Sequence, residues 1–329
     1  MNLRDINLSI YSFGYSAGFI NDDRPEAAPP TIFIDNIADL ADEYGFGGIE
    51  FPIDRYFPID RVNEAQSFIE MLKERGLRSA IDLETFDRAY IEKLIPILQK
   101  TGISWARIKM SGFYGGNRYR ESDFHKWVDE FVGSLFSLTP MLRNAGIILL
   151  IENHQDLGAD DLAKIVGTVA ADCVGVNWDV GNSLPVPDSP ETFLEKTAGF
   201  IGNVHLKDYR LYRSENGYRM IRCPLGEGVI DFQSLLRRLQ QSKGVVPMAL
   251  ELGAQNARHA DIFETAYWEA YSPVTVAEKI PFFAFLNRHL EDGDNWESKW
   301  ERRKSGAEII QGEKDDLEQS IAFLKKLEI

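Results

Sequence analysis

Between residues 147 and 253, four short apolar runs each end on polar side chains. They are IILLIENH (147–154), CVGVNWDVGN (173–182), IGNVHLKD (201–208) and VVPMALELG (245–253). Each has the length and bulk of a strand buried on both faces, and DDLAKIVGTVA and SPETFLEKTAGF between the first three read as helices. Strand and helix in alternation make a parallel sheet, and the C-terminal ends of parallel strands share one rim, where ligands bind. Glu152, Asp179, His205 and Glu251 therefore gather at that rim. Three carboxylates and one imidazole make a cage for one divalent cation: Mn²⁺ by preference, Mg²⁺ or Co²⁺ next, Zn²⁺ less so. A lone acid at a strand end is more often a cap or an ion-pair partner, but four in order at the same relative place outweigh that reading.

The alternation extends back to the start of the chain. Strands are expected over 6–15, 45–52 (ending near Glu50), 77–84 and 105–110; helices over 31–44, 62–75, 89–99 and 121–144, stopped at or near Gly76, Gly102 and Gly146. The segment 208–231 is an insertion with a hairpin at Asn216-Gly217, followed by a helix over 232–241 and an eighth strand over 245–251. Eight units close a (β/α)8 TIM barrel. The loop NDDRPEAAPP after the first strand is expected to cover the active end.

Beyond Gly253, helical patterns cover 261–271, 274–290, 296–304 and 315–327, of which a barrel needs one. The expected division is a barrel over 1–290 and a helical extension over 291–329 packed on it. Phe282, Phe283, Phe285 and Leu286 are expected inside against the barrel, with a homodimer contact there or at Trp268 as the alternative. Arg302, Arg303 and Lys304 read as a solvated helix face.

Composition narrows the function classes. No apolar run approaches the roughly 20 residues that span a bilayer. The formal net charge of −15 repels a phosphate backbone, so neither a membrane nor a nucleic acid is an expected partner. Cys173 and Cys223 have no metal-binding spacing and are expected as reduced thiols; no basic and apolar leader opens the chain, and a cytoplasmic location is expected.

With these residues placed, the sequence resembles the xylose isomerase-like TIM-barrel family of sugar isomerases and epimerases, which includes ketose 3-epimerases and inosose dehydratases. LLIENH, NWDVGN, VHLKD, PLGEGVIDF and ALELG carry the resemblance in the family's order, GFGGIE adds weaker support, and the likeness spans about residues 6–290. It implies a single metal held by Glu152, Asp179, His205 and Glu251, with the two glutamates flanking the reacting carbon of a small sugar or keto-sugar. One departure is Asn182, where ketose 3-epimerases carry a histidine.

The chemistry of the residues agrees. A cation that chelates a carbonyl and its neighbouring hydroxyl acidifies the C–H between them by stabilising an enediolate. Glu152 and Glu251 are the expected base and acid, in unassigned order. His154 is a candidate proton shuttle or hydroxyl ligand, and Lys207 a candidate oxyanion partner or a structural ion pair with Asp208. Glu50, Glu84, Lys109 and Asp208, near other strand ends, are candidate substrate contacts, whereas His125, His259 and His289 lie in helical patterns. The leading expectation is a metal-dependent isomerase or epimerase; a lyase, dehydratase or decarboxylase, on a keto-sugar or keto-sugar acid would use the same residues. Endonuclease IV-like repair is disfavoured, since its histidine-rich multi-zinc chemistry suits neither five histidines nor the acidic charge. Non-catalytic sugar binding is the remaining reading.

Overall fold

Eight parallel strands hydrogen-bond into a closed ring in the computed structural model, which describes residues 1–169, 172–253, 255–271, 273–293 and 297–329. The first seven are β1 (Ile6–Ser9), β2 (Gly48–Pro52), β3 (Arg78–Asp82), β4 (Trp105–Ile108), β5 (Ile148–Glu152), β6 (Val174–Asp179) and β7 (Ile201–Leu206). A hairpin of β8 (Asp208–Ser214) and β9 (Gly217–Cys223) follows, turning at Asn216-Gly217. Then β10 (Met248–Leu250) closes the ring between β7 and β1. The expected (β/α)8 barrel is therefore the fold.

Three of the helices between the strands start where a short polar side chain caps them. Asp87 accepts from the N–H groups of Ala89 and Tyr90, Ser189 from Thr192 and Asp231 from Ser234. Ile37, Ala38 and Ala41 of the helix Ile34–Tyr44, and Leu94, Ile95 and Leu98 of Arg88–Thr101, fill the layer between helices and barrel. Among the described residues no helix is long and apolar enough to cross a membrane.

Four elements differ from expectation. The first strand stops at Ser9, and residues Ile10–Phe13 form a 3-10 turn. Its Ser12 hydroxyl donates to the Leu250 carbonyl and accepts from the Leu252 N–H, which draws the chain across the barrel end. The helix expected over 261–271 shrinks to Thr265–Glu269, because β11 (Arg258–Ala260) just before it pairs antiparallel with β9. Between 296 and 304, Trp296 lies outside the described residues and 297–303 contains turns but no helix, so Arg302, Arg303 and Lys304 are exposed on a turn. The final helix is longer than its apolar spacing suggests, Gly306–Lys326, because Ser305 and Glu308 form a reciprocal cap at its start.

In the helix Val276–His289, Phe282, Phe285 and Leu286 are buried, while Phe283, a third of a turn away, is 37% exposed. A short β12 (Leu290–Glu291) then pairs with β8, completing a four-stranded sheet β11-β9-β8-β12 beside the barrel.

The helix Gly306–Lys326 reaches back to the first barrel unit. Its Glu313 carboxylate accepts from the N–H groups of Tyr15 (2.7 Å) and Ser16 (2.9 Å), the Ser16 hydroxyl (2.5 Å) and the Gln255 amide (2.5 Å). The 21–30 loop is tied to the same region: the Gly306 N–H donates to the Glu26 carbonyl, and Arg24 lies 4.5 Å above the Trp300 ring.

Candidate metal centre

Strand register brings the four expected ligands together. Asp179 of β6 pairs directly with His205 of β7, and Glu152 ends β5 opposite Asn177. Glu251 follows β10, with its N–H on the Leu206 carbonyl at 3.2 Å. All four are buried, and one ligand atom from each lies within 4.8 Å of the others.

The surroundings are densely charged. Arg107 projects from β4 into the barrel, its guanidinium 2.8 Å from Asp82, 3.2 Å from Glu152 and 4.0 Å from Glu251. The Lys207 ammonium is 2.6 Å from both Asp179 and Glu251. The His205 ring has Nε2 3.0 Å from Glu50 and Nδ1 3.0 Å from Glu251. Burial alone would lower the His205 pKa, yet Glu50 and Glu251 raise it well above the usual histidine value. Burial likewise opposes charge on Lys207, but Asp179 and Glu251 drive its pKa up. For Glu251, burial pushes upward and is outdone by Lys207 and His205, so the carboxyl is held well below its usual range. Asp179 rises to about 6 by burial, against the pull of Lys207. Asp82 rises to about 8, burial and the Glu50 and Glu152 charges overcoming Arg107.

This donor set suits a hard divalent cation. His205 Nδ1, Glu152 Oε2 and Glu251 Oε2 are buried and make no well-formed hydrogen bond among the described residues, although Nδ1 and Glu251 Oε2 lie 3.0 Å apart and Glu152 Oε2 lies 3.2 Å from Arg107. Even with Asp82 protonated, the carboxyls of Glu50, Glu152, Asp179 and Glu251 outnumber the fixed cations Arg107 and Lys207, an excess that a divalent ion beside a neutral His205 would offset. Glu50, expected to touch substrate, instead lies fully buried behind His205. There it orients the ring with Nδ1 toward the cluster, as a carboxylate behind a metal-binding histidine does.

Asn182 supplies a second layer of support. Its side-chain amide donates to Glu152 at 3.1 Å and its backbone N–H to Asp179 at 3.2 Å. Gln155 donates to the Asn182 oxygen at 2.8 Å and accepts from the Gly115 N–H at 2.8 Å, so a loop after β4 is connected to the ligands.

A cavity of about 360 Å³ opens above the cluster, with Arg107, Lys207, Asn182 and Glu251 among its lining residues. Glu152 does not line it. His154 does, although β5 has ended two residues earlier; burial, then Lys109 and Arg107, lower its pKa well below the usual histidine value, so its ring is neutral at pH 7. Lys109 and Glu84 also line the cavity, Glu84 lying 3.4 Å from Arg55, and Phe19 and Ile20 reach it just ahead of the 21–30 loop.

Asp208 is placed elsewhere. Its oxygens accept from the N–H groups of Tyr209, Gly226, Gly228 and Ile230, folding the PLGEGVIDF loop around one carboxylate. A Cβ on Gly228 would lie 2.2 Å from Asp208 Oδ1, which explains the glycine. The expected substrate contact is thus a loop clamp, and Lys207 pairs with Asp179 and Glu251 instead of with its neighbour. His125, His259 and His289 lie off the cavity, His259 on β11 and not on a helix. Sequence reading passed over Arg107, Asp82, Gln155, Tyr114 and Arg258. A signal existed for Arg107, since an arginine inside the buried strand WARIKM needs an acidic partner.

Known proteins share this architecture. A sequence relative, 3-oxo-isoapionate decarboxylase of Pectobacterium atrosepticum, is 22% identical over 253 residues, 75% of this chain and 84% of its own length. A Xylose isomerase-like TIM barrel protein from Mycobacterium smegmatis, solved in complex with magnesium, superposes with a TM-score of 0.57 at 17% identity, covering 87% of this chain and 97% of its own. The apo form of 3-keto-D-glucoside 4-epimerase from E. coli gives 0.53 at 15% identity, over 86% and 99%. The family model described as Xylose isomerase-like TIM barrel matches residues 38–268, a span that holds every member of the buried cluster, and the chain belongs to that family.

Proposed function

We propose that the protein is a divalent-metal-dependent enzyme of the isomerase or epimerase class, which moves a proton at the carbon beside the carbonyl of a sugar or keto-sugar. The observation that carries this reading is the double position of Glu251, which belongs to the four-residue cluster and also lines the cavity beside Lys207. A cation held by Glu152, Asp179, His205 and Glu251, Mn²⁺ by preference, would supply Lewis-acid polarisation of a substrate carbonyl. Glu251 is ionised at neutral pH and faces the cavity, so it can accept a proton from carbon. Lys207 keeps its charge despite burial and can donate to an oxygen that gains negative charge. His154, neutral and on the cavity wall, can relay the proton or bind a hydroxyl. Glu152, which does not line the cavity, holds position between Arg107 and Asn182.

Decarboxylation is the second reading, favoured by the relative named for that activity. Carbon dioxide would leave, its bonding electrons would remain on carbon, and the Lys207 ammonium, which keeps its proton despite burial, or a water molecule would deliver the proton that replaces it. Turnover of a panel of ketoses and keto-acids in D₂O by the Mn²⁺-loaded protein separates the two. Deuterium at the reacting carbon of an epimer or isomer is the expected result, whereas a product one carbon shorter moves the assignment to the lyase. Glu251→Gln should lower the rate by about 10²-fold or more, the usual range for lost general acid–base catalysis. An undiminished rate would remove Glu251 from the chemistry.

A further inference from the structure

Lys109, just past β4, and Arg258, the first residue of β11, both line the cavity, and among the described residues neither has a carboxylate within 4.0 Å. The other lysine and arginine side chains of the lining are matched: Arg107 by Asp82 and Glu152, Lys207 by Asp179 and Glu251, Arg55 by Glu84. Arg258 Nε is buried with no hydrogen-bond partner. In a chain of net charge −15, two cations that face one cavity without an ion-pair partner among the described residues call for a ligand.

The wall that carries them is built. The Arg258 guanidinium lies 3.7 Å above the Tyr114 ring, and the Tyr114 ring is 5.0 Å from that of His154. Arg258, Tyr114, His154 and Lys109 all line the same cavity. Tyr114 is held by the turn after it, where Gly115 and Gly116 have φ of +66° and +69° and both donate to Gln155. A Cβ on Gly115 would sit 2.0 Å from the His259 carbonyl oxygen, so this turn lies directly against β11 and fixes the tyrosine beside Arg258. Stacking engages the face of the guanidinium and leaves its donor edge for an anion.

We propose that this wall is an anion subsite: the substrate carries a terminal carboxylate or phosphate, held by the donor edge of Arg258 with the Lys109 ammonium adding positive charge to the same cavity, while its carbonyl end meets Glu251 and Lys207. The inference rests on reading the cavity as a keto-sugar site. Its volume of about 360 Å³ is at the small end of ligand pockets, roughly 300–1,000 Å³, and suits a single sugar acid or sugar phosphate.

Calorimetric titration of the Mn²⁺-loaded protein at low salt with D-fructose, 5-keto-D-gluconate and D-fructose 6-phosphate tests it. One of the two anions should bind about tenfold or more tightly than D-fructose, the scale of a hydrogen bond to a charged group, and which one does so distinguishes carboxylate from phosphate. Lys109→Met and Arg258→Met should each bring that ratio toward one, while Arg258→Lys, which keeps the charge and loses the planar fork, should retain part of it; thermal unfolding checks that the variants fold. Equal affinities, no measurable binding of either anion at millimolar concentration, or a preference that survives both methionine substitutions together would overturn the subsite. Failure of the proton-transfer reading looks different: the anion preference stays and no deuterium enters the substrate.

Discussion

Two sets of buried carboxylates in this chain are equally hidden from water and held in different ways. Asp208 directs its oxygens to the backbone N–H groups of a tight loop, and Glu313 binds the backbone N–H groups of Tyr15 and Ser16 together with the Ser16 hydroxyl and the Gln255 amide. Glu152, Asp179 and Glu251 face Arg107, Lys207 and His205, and Glu152 and Glu251 each keep an oxygen without a hydrogen bond. Backbone donors are fixed by the fold, so an acid bound to them is part of the folding machinery. Side-chain partners with open lone pairs remain available to a ligand, and that difference, more than burial, separates structure from site.

The contrast can be broken by mutation. Glu313→Ala leaves the Tyr15 and Ser16 amides without acceptors, and at about 1–3 kcal/mol for each stranded group the unfolding free energy in urea should drop by roughly 2–6 kcal/mol. A loss below about 1 kcal/mol would erase the distinction. On the site's side, Mn²⁺ at about 100 times its dissociation constant should add ~2.7 kcal/mol to the wild-type protein, and Glu152→Gln should abolish most of that gain. The metal-free Glu152→Gln protein should itself stay within about 1 kcal/mol of wild type, since one acid fewer in a crowded cluster compensates for the weakened Arg107 contact. Damage on the scale of Glu313→Ala would instead make the cluster structural.

The smallest effect concerns Asp156, which accepts from the Leu157 N–H and the Ser111 hydroxyl while burial pushes its pKa up to about 7. The folded value lies above the unfolded one, so its contribution to stability is complete below about pH 4 and is lost as the pH rises through about 7. Asp156→Asn should therefore flatten the fall in unfolding free energy between about pH 5 and 8 by roughly 2 kcal/mol. An unchanged slope would place the proton elsewhere.

Glu152, Asp179, His205 and Glu251 were legible in the sequence because parallel strands put their C-terminal residues on one rim, so spacing along the chain is enough to gather them. Asp208 follows a strand in the same manner and looked equivalent; only the return of the 226–230 loop, with its N–H groups pointing back, reveals it as a clamp. The partners of Arg107 and the pairing of Arg258 with Tyr114 depend on neighbours in space that no periodicity records. The helical pattern over 261–271 was real in spacing, but β11 gained backbone hydrogen bonds to β9 just ahead of it, and only Thr265–Glu269 remained helical. Glu50, expected near a strand end, lies in the middle of β2, and its partner is His205.

Glu313 lies 298 positions after Tyr15 and 58 after Gln255, which lines the cavity. On the ribosome, every barrel strand and all four candidate ligands are therefore synthesised before the carboxylate that anchors the segment behind the cavity. Contacts so distant in sequence form late. A chain that ended before Glu313 would carry every candidate ligand and still lack the carboxylate that ties Tyr15, Ser16 and Gln255 together.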